Sequence, residues 1–251
     1  MLDSESFFSI VDPSQNIIVS FSGGVDSTAL LNYCYELKQA HDLKGNLSAI
    51  HINHSISPHA QSWEEHCQTF CSARNIPLIC KAIKVDGTKS GLESAARQGR
   101  YEMFQQNIKS GDQLLLAHHA DDVAETLMFR LFRGTGIDGL KGPLQQRQLG
   151  EGVLLRPWLE YPKRTLVAYL KDRELSYIED ESNARNDQDR NFIRNEVLPL
   201  IAQRWPQAAS QMQQTSHLIT KHLVAQETLM SMQFGEDLSE LSLSLTFLKN
   251  L

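Results

Sequence analysis

The segment Phe21-Ser-Gly-Gly-Val-Asp-Ser27 has the residue types of a phosphate-binding turn. Adjacent glycines let backbone N–H groups close around an anion, and the hydroxyls of Ser22 and Ser27 add donors. The segment lies between an apolar run at 16–21 and a stretch of helical periodicity, so a helix N-terminus adds positive potential. A tight turn with a helix cap uses the same residue types, but this strand-to-helix context favours anion binding. No lysine completes a Walker A pattern, so we expect a cation held on carboxylates to screen the charge of the phosphates.

Two acids, Asp122 and Glu125, stand three positions apart at the start of another predicted helix. They share one face of its first turn and could together hold a metal ion or an ammonium group. Acids in a first turn also complement the helix dipole. Their position after a strand of the same sheet favours ligand binding. The histidines near strand ends, His51, His54, His118 and His119, are compatible with packing, and among them we retain only His119 as a candidate.

Short apolar runs alternate with amphipathic stretches along the chain. Strands are predicted at 16–21, 47–52, 76–85, 113–117 and 153–155, and helices at 27–37, 58–75, 91–108, 121–132 and 161–173. This order predicts an α/β fold with a doubly wound, parallel five-stranded sheet, followed by a helical C-terminal segment, with ligands bound on the loops after strands. Residues 134–152 are rich in Gly and Gln, which predicts a mobile loop. Its GxGxxG pattern follows a helix, so a dinucleotide site is rejected.

Charge and composition narrow the classes of protein. The 251 residues carry 24 Lys and Arg against 30 Asp and Glu, a net charge of −6, which excludes a protein that coats nucleic acid. Residues 126–173 nevertheless hold nine basic and four acidic residues, which favours one local basic face. The four cysteines form no CxxC pair, so packing is favoured over a metal site at Cys67 and Cys71. With neither a signal peptide nor a membrane span in the sequence, we expect a cytoplasmic protein without a membrane partner.

The segment Ser22-Gly-Gly-Val-Asp-Ser27 resembles the SGGxDS signature of the ATP pyrophosphatase (PP-loop) family. Further segments resemble one branch of it, the tRNA(Ile)-lysidine synthase family, in their order and spacing over roughly 16–205. These segments are His51-Ile-Asn-His54, His119-Ala-Asp-Asp122, Arg133-Gly-Thr-Gly-Ile-Asp-Gly139, Arg156-Pro-Trp-Leu159, and 179–183 with Arg190 and Arg194.

This resemblance implies an adenine nucleotide alpha hydrolase-like fold and an ATP- and Mg²⁺-dependent ligase. The enzyme would join the ε-amine of free L-lysine to C2 of the wobble cytidine in the CAU anticodon of tRNA(Ile), through an adenylated cytidine. Carried over by position, Asp26 and Asp122 would hold Mg²⁺, and Asp122 and Glu125 would contact the lysine ammonium or the metal. Arg190 and Arg194 would bind phosphate or stabilise the transition state, although their spacing also fits a salt-bridged helix face. The residues implied to bind ATP are Ser22, Gly23, Gly24, Val25, Asp26 and Ser27.

The same resemblance predicts a PP-loop catalytic domain at 1–205. Residues 206–251 are expected to be a helical linker or the start of a truncated C-terminal domain, and a homodimer is left open. The alternatives are another PP-loop tRNA-modifying enzyme such as a thiolase, which the missing CxxC disfavours, and a non-catalytic nucleotide-binding protein. The acids Asp26, Asp122 and Glu125 disfavour the latter, because binding alone does not need carboxylates facing a triphosphate.

Overall fold

Strands and helices alternate through the computed structural model of the chain, which describes residues 2–53, 59–83, 92–180, 186 and 188–234. His54, residues 181–183 of the segment 179–183, and the stretch 235–251 lie outside the described residues.

All five predicted strands are present and parallel to one another. They are β1 (Ile17–Ser20), β2 (Leu47–Asn53), β3 (Leu78–Ala82), β4 (Gln113–Leu115) and β6 (Gly152–Leu155). A sixth strand, β5 (Gln146–Leu149), pairs antiparallel with β6 at one edge, so the sheet order is β3-β2-β1-β4-β6-β5. The expected loop at 134–152 therefore contains a strand. The residues of β5 are mostly polar because an edge strand buries few of its side chains, and in β5 only Leu149 is buried.

Helices cover both faces of the sheet, as a doubly wound fold requires. They are α1 (Ser4–Phe8), α2 (Val25–Gln39), α3 (Ala60–Ser72), α4 (Leu92–Asn107), α5 (Ala120–Phe132), α6 (Lys163–Asp172), α7 (Asp189–Phe192), α8 (Leu198–Arg204) and α9 (Ala208–Phe234), with a 3₁₀ turn at Ile137–Leu140 and a π-helical turn at Ile193–Val197. The short α1 was not predicted; the carboxylate of Asp3 caps it by accepting from the N–H groups of Glu5 and Ser6. None of the helices in these described ranges is long and apolar enough to cross a bilayer.

The two faces of the sheet bury separate clusters. Alternate strand residues such as Val19 and Leu115 point towards α1, α2, α3 and α6, where Trp158 and Leu30 are fully buried. Their neighbours, including Ile18 and Leu114, point towards α4, where Phe104 and Ile108 complete the second cluster. A residue's position on a strand therefore decides whether it faces α2 or α4.

The strand order reverses between β1 and β4, which are neighbours in the sheet. The chain leaves them towards opposite edges, so the loops that follow them border a crevice at the carboxyl ends of the strands. The Ser22–Ser27 segment follows β1 and the His118–Asp122 segment follows β4. The fold therefore brings together the two segments that carry the predicted chemistry.

Polar contacts fix α2, which begins in the first of these loops, against α6. Asn32 of α2 is buried and donates from Nδ2 to the Tyr169 hydroxyl at 2.9 Å. At the end of α6, Arg173 donates to both carboxylate oxygens of Glu36 at 2.6 and 2.9 Å. The ion pair between Arg173 and Glu36 is partly exposed. We therefore expect the buried hydrogen bond between Asn32 and Tyr169 to contribute more to stability than this ion pair does.

Tyr169→Phe should lower the free energy of unfolding by about 1–2 kcal/mol, because the buried Asn32 amide loses an acceptor. The matched control is Tyr33→Phe, since Tyr33 is also buried but no described residue forms a hydrogen bond with its hydroxyl; its expected change is within about 0.5 kcal/mol. Urea unfolding followed by fluorescence measures both. Equal losses in the two variants would contradict this assignment.

Candidate active site

The Ser22–Ser27 loop is shaped by its glycines and its own hydroxyls. Gly23 has φ +82°, and its carbonyl accepts from the Ile178 N–H at 2.8 Å and from the Thr28 hydroxyl at 3.0 Å. A Cβ at Gly23 would collide with the Ile178 side chain. The Ser27 hydroxyl accepts from the Ser22 N–H at 3.2 Å and lies within hydrogen-bond distance of the Gly24 carbonyl, at 3.1 Å. These hydrogen bonds fix the loop to Ile178 and to the start of α2, and they leave the N-terminus of α2 facing the crevice.

No described side chain caps α2, whose N-cap residue is Gly24. The first N–H groups of a helix need an acceptor, and together with the dipole they attract an anion. Asp26 lies in this first turn, so a negatively charged ligand bound here needs a compensating positive charge. The geometry agrees with the predicted phosphate-binding turn.

His119 joins the two loops. Its Nε2 atom lies 3.5 Å from Asp26 Oδ1 and 3.6 Å from Asp122 Oδ2, and its Nδ1 atom lies 3.7 Å from Asp121 Oδ2. The imidazole is 2% exposed. His119 is also the N-cap of α5: the Asp122 N–H donates to Nδ1 at 3.4 Å, and Asp122 Oδ2 accepts from the His119 N–H at 3.0 Å. Sequence reasoning kept His119 only as a candidate, whereas the structure puts it at the centre of the site.

The carboxylates around His119 change its proton affinity. Burial alone would lower the pKa of His119, but the charges of Asp122, Asp26 and Asp121 outweigh burial and raise that pKa above its usual value. Burial likewise acts to raise the pKa of Asp26, but His119, Lys163 and Arg194 together lower it. The site therefore favours an ionised Asp26, and the surrounding carboxylates stabilise the protonated form of the His119 imidazole relative to a free one.

Glu125 pairs with Arg194 from a distant part of the chain. Arg194 donates from Nε to Glu125 Oε1 at 2.6 Å and from NH2 to Oε2 at 2.7 Å, and NH2 lies 3.7 Å from Asp122 Oδ1. Glu125 is almost fully buried, so burial raises its pKa while Arg194 acts to lower it. Arg194 lies on the π-helical turn Ile193–Val197, a distortion often found at functional sites. The alternative of a salt bridge thus holds for Arg194, but the bridge forms within the site.

Arg190 is placed differently from Arg194. Its guanidinium lies 5.3 Å from the ring centroid of Phe129, one helical turn beyond Glu125 on α5. The structure thus brings together Asp26, His119, Asp122 and the Glu125–Arg194 pair, and leaves Arg190 at the margin of the group.

The described carboxylates can supply part of the coordination of a divalent cation. Asp26 Oδ1 is buried and no described atom donates a hydrogen bond to it, and its nearest cationic group is the His119 imidazole at 3.5 Å. Asp122 Oδ2 lies 3.6 Å from the same nitrogen. Within the described ranges, no three His, Cys, Asp or Glu side chains form a complete metal site. Two carboxylates with substrate phosphates and water suit Mg²⁺, which rarely binds in an all-protein cage.

Sequence reasoning missed the role of Lys163. The backbone N–H of Lys163 donates to Asp121 Oδ2 at 2.7 Å, and the charge of its side chain helps to lower the pKa of Asp26. In the sequence Lys163 is one of nine basic residues in 126–173, although Pro162-Lys163 is recognisable as a helix start.

Cys67 and Cys71 are buried, and burial raises the pKa of each to about 12, so their role is packing.

A sequence model of the PP-loop domain matches residues 4–201. The chain belongs to the PP-loop family. The tRNA(Ile)-lysidine synthase of Alkalilimnicola ehrlichii is 42% identical over 201 residues, which are 80% of this chain and 45% of that protein. The tRNA(Ile)-lysidine synthase of Serratia proteamaculans is 39% identical over 228 residues, which are 90% of this chain and 51% of that protein. This PP-loop chain therefore spans about half the length of the curated relatives it matches.

A solved structure supports the fold of this PP-loop chain. The U34-tRNA thiolase NcsA from Methanococcus maripaludis, solved with its [4Fe-4S] cluster, superposes with a TM-score of 0.66 at 15% identity. The match covers 87% of this chain and 78% of the thiolase. At this identity the likeness concerns the fold alone, and it agrees with the predicted adenine nucleotide alpha hydrolase-like architecture.

Gly23→Ala should lower the free energy of unfolding by about 2 kcal/mol, because a Cβ disfavours positive φ and meets Ile178. Gly24→Ala is the matched control: its φ is −73°, and its new Cβ would meet Ser22 Oγ at an ordinary 3.5 Å. Because Ala is a poorer N-cap than Gly, we expect the control to lower stability by no more than about 1 kcal/mol. Thermal unfolding of the two variants side by side measures this, and a larger loss for Gly24→Ala would refute the assignment.

His118 supports a pH prediction. Its Nδ1 atom accepts from Arg156 Nε at 2.9 Å. Burial lowers the pKa of His118 to about 4; Asp122 opposes this effect, and Arg156 and Arg97 add to it. Between about pH 6.5 and 4 the unfolded chain binds a proton that the folded chain does not, so stability should fall by up to about 3 kcal/mol over that window.

His118→Asn keeps an acceptor for Arg156 but cannot take a proton. Its stability should therefore fall less than that of the unaltered chain from pH 6.5 to pH 4, with parallel curves above pH 6.5. Denaturant unfolding over this pH range measures the difference. Parallel curves throughout would mean that His118 is protonated in the folded chain.

Proposed function

We propose that this chain is the catalytic part of an ATP-dependent ligase that joins L-lysine to the wobble cytidine of tRNA(Ile), with AMP and pyrophosphate as products. One observation carries the proposal. The phosphate-binding loop and the carboxylates of α5 meet through His119, in a chain about 40% identical to proteins named tRNA(Ile)-lysidine synthase. An adenylating enzyme that then admits an amine needs both an anion site and a cation site in one crevice.

ATP is proposed to bind with its phosphates on the Ser22–Ser27 loop. Backbone N–H groups at the start of α2 would contact phosphate oxygens, and the hydroxyls of Ser22 and Ser27 would contribute donors. Asp26 and Asp122 would hold Mg²⁺, which supplies charge neutralisation for the phosphates when bound. In support, Asp26 Oδ1 is buried with no donor among the described residues and lies beside the helix N-terminus.

Lysine is proposed to bind on the α5 side of the crevice. Asp122 in the first turn of α5 and Glu125 in the second stand three positions apart and share one face, where their carboxylates could receive an ammonium group. Arg194 already neutralises Glu125 through two hydrogen bonds. We therefore assign the first contact with lysine to Asp122 and assign to Arg194 the positioning of Glu125. Arg190, next to Phe129, is proposed to reach phosphate at the margin of the site.

The chemistry follows from leaving-group quality. Cytidine O2 attacks the α-phosphorus of ATP and pyrophosphate leaves, so the oxygen becomes part of a phosphate ester. The lysine ε-amine, after losing its proton, attacks C2, and AMP leaves with O2. Oxide is a poor leaving group and a phosphate monoester is a good one, so the residues mainly position the reactants and stabilise charge.

The organisation of the chain is proposed on the same basis. Residues 1–205 would form the PP-loop catalytic domain, and the segment 206–251 a helical linker or the first part of a further domain. The described helix of that segment, α9, packs along α5, so it is positioned to support the catalytic carboxylates. The cytoplasm, as the compartment of tRNA and free lysine, is the proposed location, and a homodimer is left open.

Incorporation of radiolabelled lysine into a tRNA(Ile) transcript with a CAU anticodon tests the function. Asp26→Asn should abolish both lysine incorporation and pyrophosphate release, because one charge is lost beside the phosphates. The control Asp42→Asn removes one carboxylate from an exposed position after α2 and should leave both unchanged. Circular dichroism of both variants should match that of the unaltered chain.

Each outcome has a distinct meaning. Pyrophosphate release that depends on another acceptor, with no lysine incorporated, would support a different PP-loop modification such as thiolation. ATP binding without pyrophosphate release would support a nucleotide-binding protein. Full activity of Asp26→Asn would remove Asp26 from the proposed site.

A further inference from the structure

A second charged group lies on the opposite face of the sheet from α2. It consists of Arg97 on α4, Arg147 on β5 and Arg156 just after β6, all in contact with the Tyr101 ring or hydroxyl, and we call it the arginine cluster. Arg147 pairs in register with Leu154, whose side chain belongs to the α4-side core. Residues opposite each other in an antiparallel pair share a face, so Arg147 points to the α4 side.

Arg156 is the buried member of the cluster, only 3% exposed. Its Nε donates to His118 Nδ1 at 2.9 Å, one NH group donates to the Leu144 carbonyl, and the other donates to the Tyr101 hydroxyl at 3.4 Å. All three partners are neutral: a carbonyl, a phenol and an imidazole held unprotonated. The guanidinium is therefore hydrogen-bonded but its charge is not balanced.

Arg147 and Arg97 add two further positive charges. Their guanidinium carbons lie 4.4 and 5.1 Å from the centroid of the Tyr101 ring. The Nε atom of Arg147 is buried and has no hydrogen-bond partner among the described residues. A buried N–H without an acceptor is costly, which indicates that an acceptor from outside the described chain completes this site.

The described residues supply no counter-charge to the cluster. No carboxylate in the described part of the chain pairs with Arg97, Arg147 or Arg156. Burial lowers the pKa of Arg156, and although Tyr101 opposes this effect, Arg147 and Arg97 lower that pKa further. Contact with the tyrosine ring offsets part of this repulsion. Three arginines that converge without an acid are typical of a site for phosphate, which accepts several N–H donors at once.

We propose that the arginine cluster is a second phosphate site, separate from the Ser22–Ser27 loop, and that it binds a backbone phosphodiester of the RNA substrate. The inference rests on the proposed function, which makes RNA the substrate. Arg97, Arg147 and Arg156 would hold the RNA next to the reacting cytidine. The sequence indicated only that the segment 126–173 is basic.

Position favours a phosphodiester over the triphosphate of ATP. The Ser22–Ser27 loop leads into α2 on one face of the sheet, whereas Arg97 on α4 and Arg147 on the edge strand β5 lie on the α4 face. The adjacent residues His118 and His119, which follow β4, lie between the two sites: His118 contacts Arg156 and His119 contacts Asp26. A polynucleotide can extend from the crevice to the arginine cluster while its base reaches the adenylation site.

The test compares binding of two phosphate probes to the full chain. Arg147→Gln and the exposed Arg97→Gln each remove one charge, and Lys109→Gln removes one from an exposed position between α4 and β4, at the amino-terminal end of β4. The probes are a short RNA stem-loop with a CAU loop, followed by fluorescence anisotropy over a salt series, and ATP with Mg²⁺. We expect both arginine variants to weaken RNA binding about tenfold and to reduce the salt slope by about 0.7, with ATP affinity and the Lys109→Gln control unchanged.

A direct readout accompanies the affinities. The Nε–H resonance of Arg147 should shift when the RNA is added and remain in place when ATP is added. Loss of ATP affinity with unchanged RNA binding would overturn the proposal and assign the cluster to the triphosphate. RNA binding that is unaffected by both arginine variants, or absent in the unaltered chain, would also overturn it.

The outcome is separable from that of the proposed function. If the unaltered chain incorporates lysine while Arg97→Gln and Arg147→Gln bind RNA normally, the ligase assignment stands and the arginine cluster has no RNA role. If both variants lose RNA binding but the chain incorporates no lysine, the cluster is an RNA site of a different enzyme.

Discussion

The site depends on one electrostatic constraint: carboxylates from two separate loops must lie close together without repelling each other. His119 satisfies this constraint, because its buried imidazole contacts Asp26 from the β1 loop and Asp121 and Asp122 from the start of α5. The same residue caps α5, so the direction of the helix and the charge balance of the site are coupled. The switch point between β1 and β4 makes this possible, since it places the two loops side by side.

The helix α5 connects the carboxylates at His119 to residues farther along the chain. Its first turn supplies Asp121 and Asp122, its second turn supplies Glu125 to Arg194, and its third turn supplies Phe129 to Arg190. The π-helical turn that bears Arg194 and the long helix α9 both pack along α5. Segments far along the chain thus pack against the same helix that holds the carboxylates, so the geometry of the candidate site depends on packing beyond the sheet.

The structure also divides the basic segment 126–173 into parts with different roles. Arg130 donates to the carbonyls of Gly139 and Lys141, and Arg173 pairs with Glu36, so these charges are used within the fold. Arg147 and Arg156 instead converge where no described acid meets them. Net charge counts all of these residues alike, whereas the structure places the guanidinium groups of Arg147 and Arg156 together at Tyr101, on the α4 side of the sheet.

The sequence by itself determined the five parallel strands, because short apolar runs alternate with stretches of helical periodicity, and it determined the glycine turn between β1 and α2, where Gly23 has a positive φ. It did not reveal β5, whose polar edge residues read as loop, or α1, which is only five residues long. Only the tertiary structure decided the pairing of Arg194 with Glu125, 69 positions away, and the central place of His119. Periodicity reports which face a residue occupies within one element, whereas contacts between elements depend on strand order and helix packing, which local spacing does not encode.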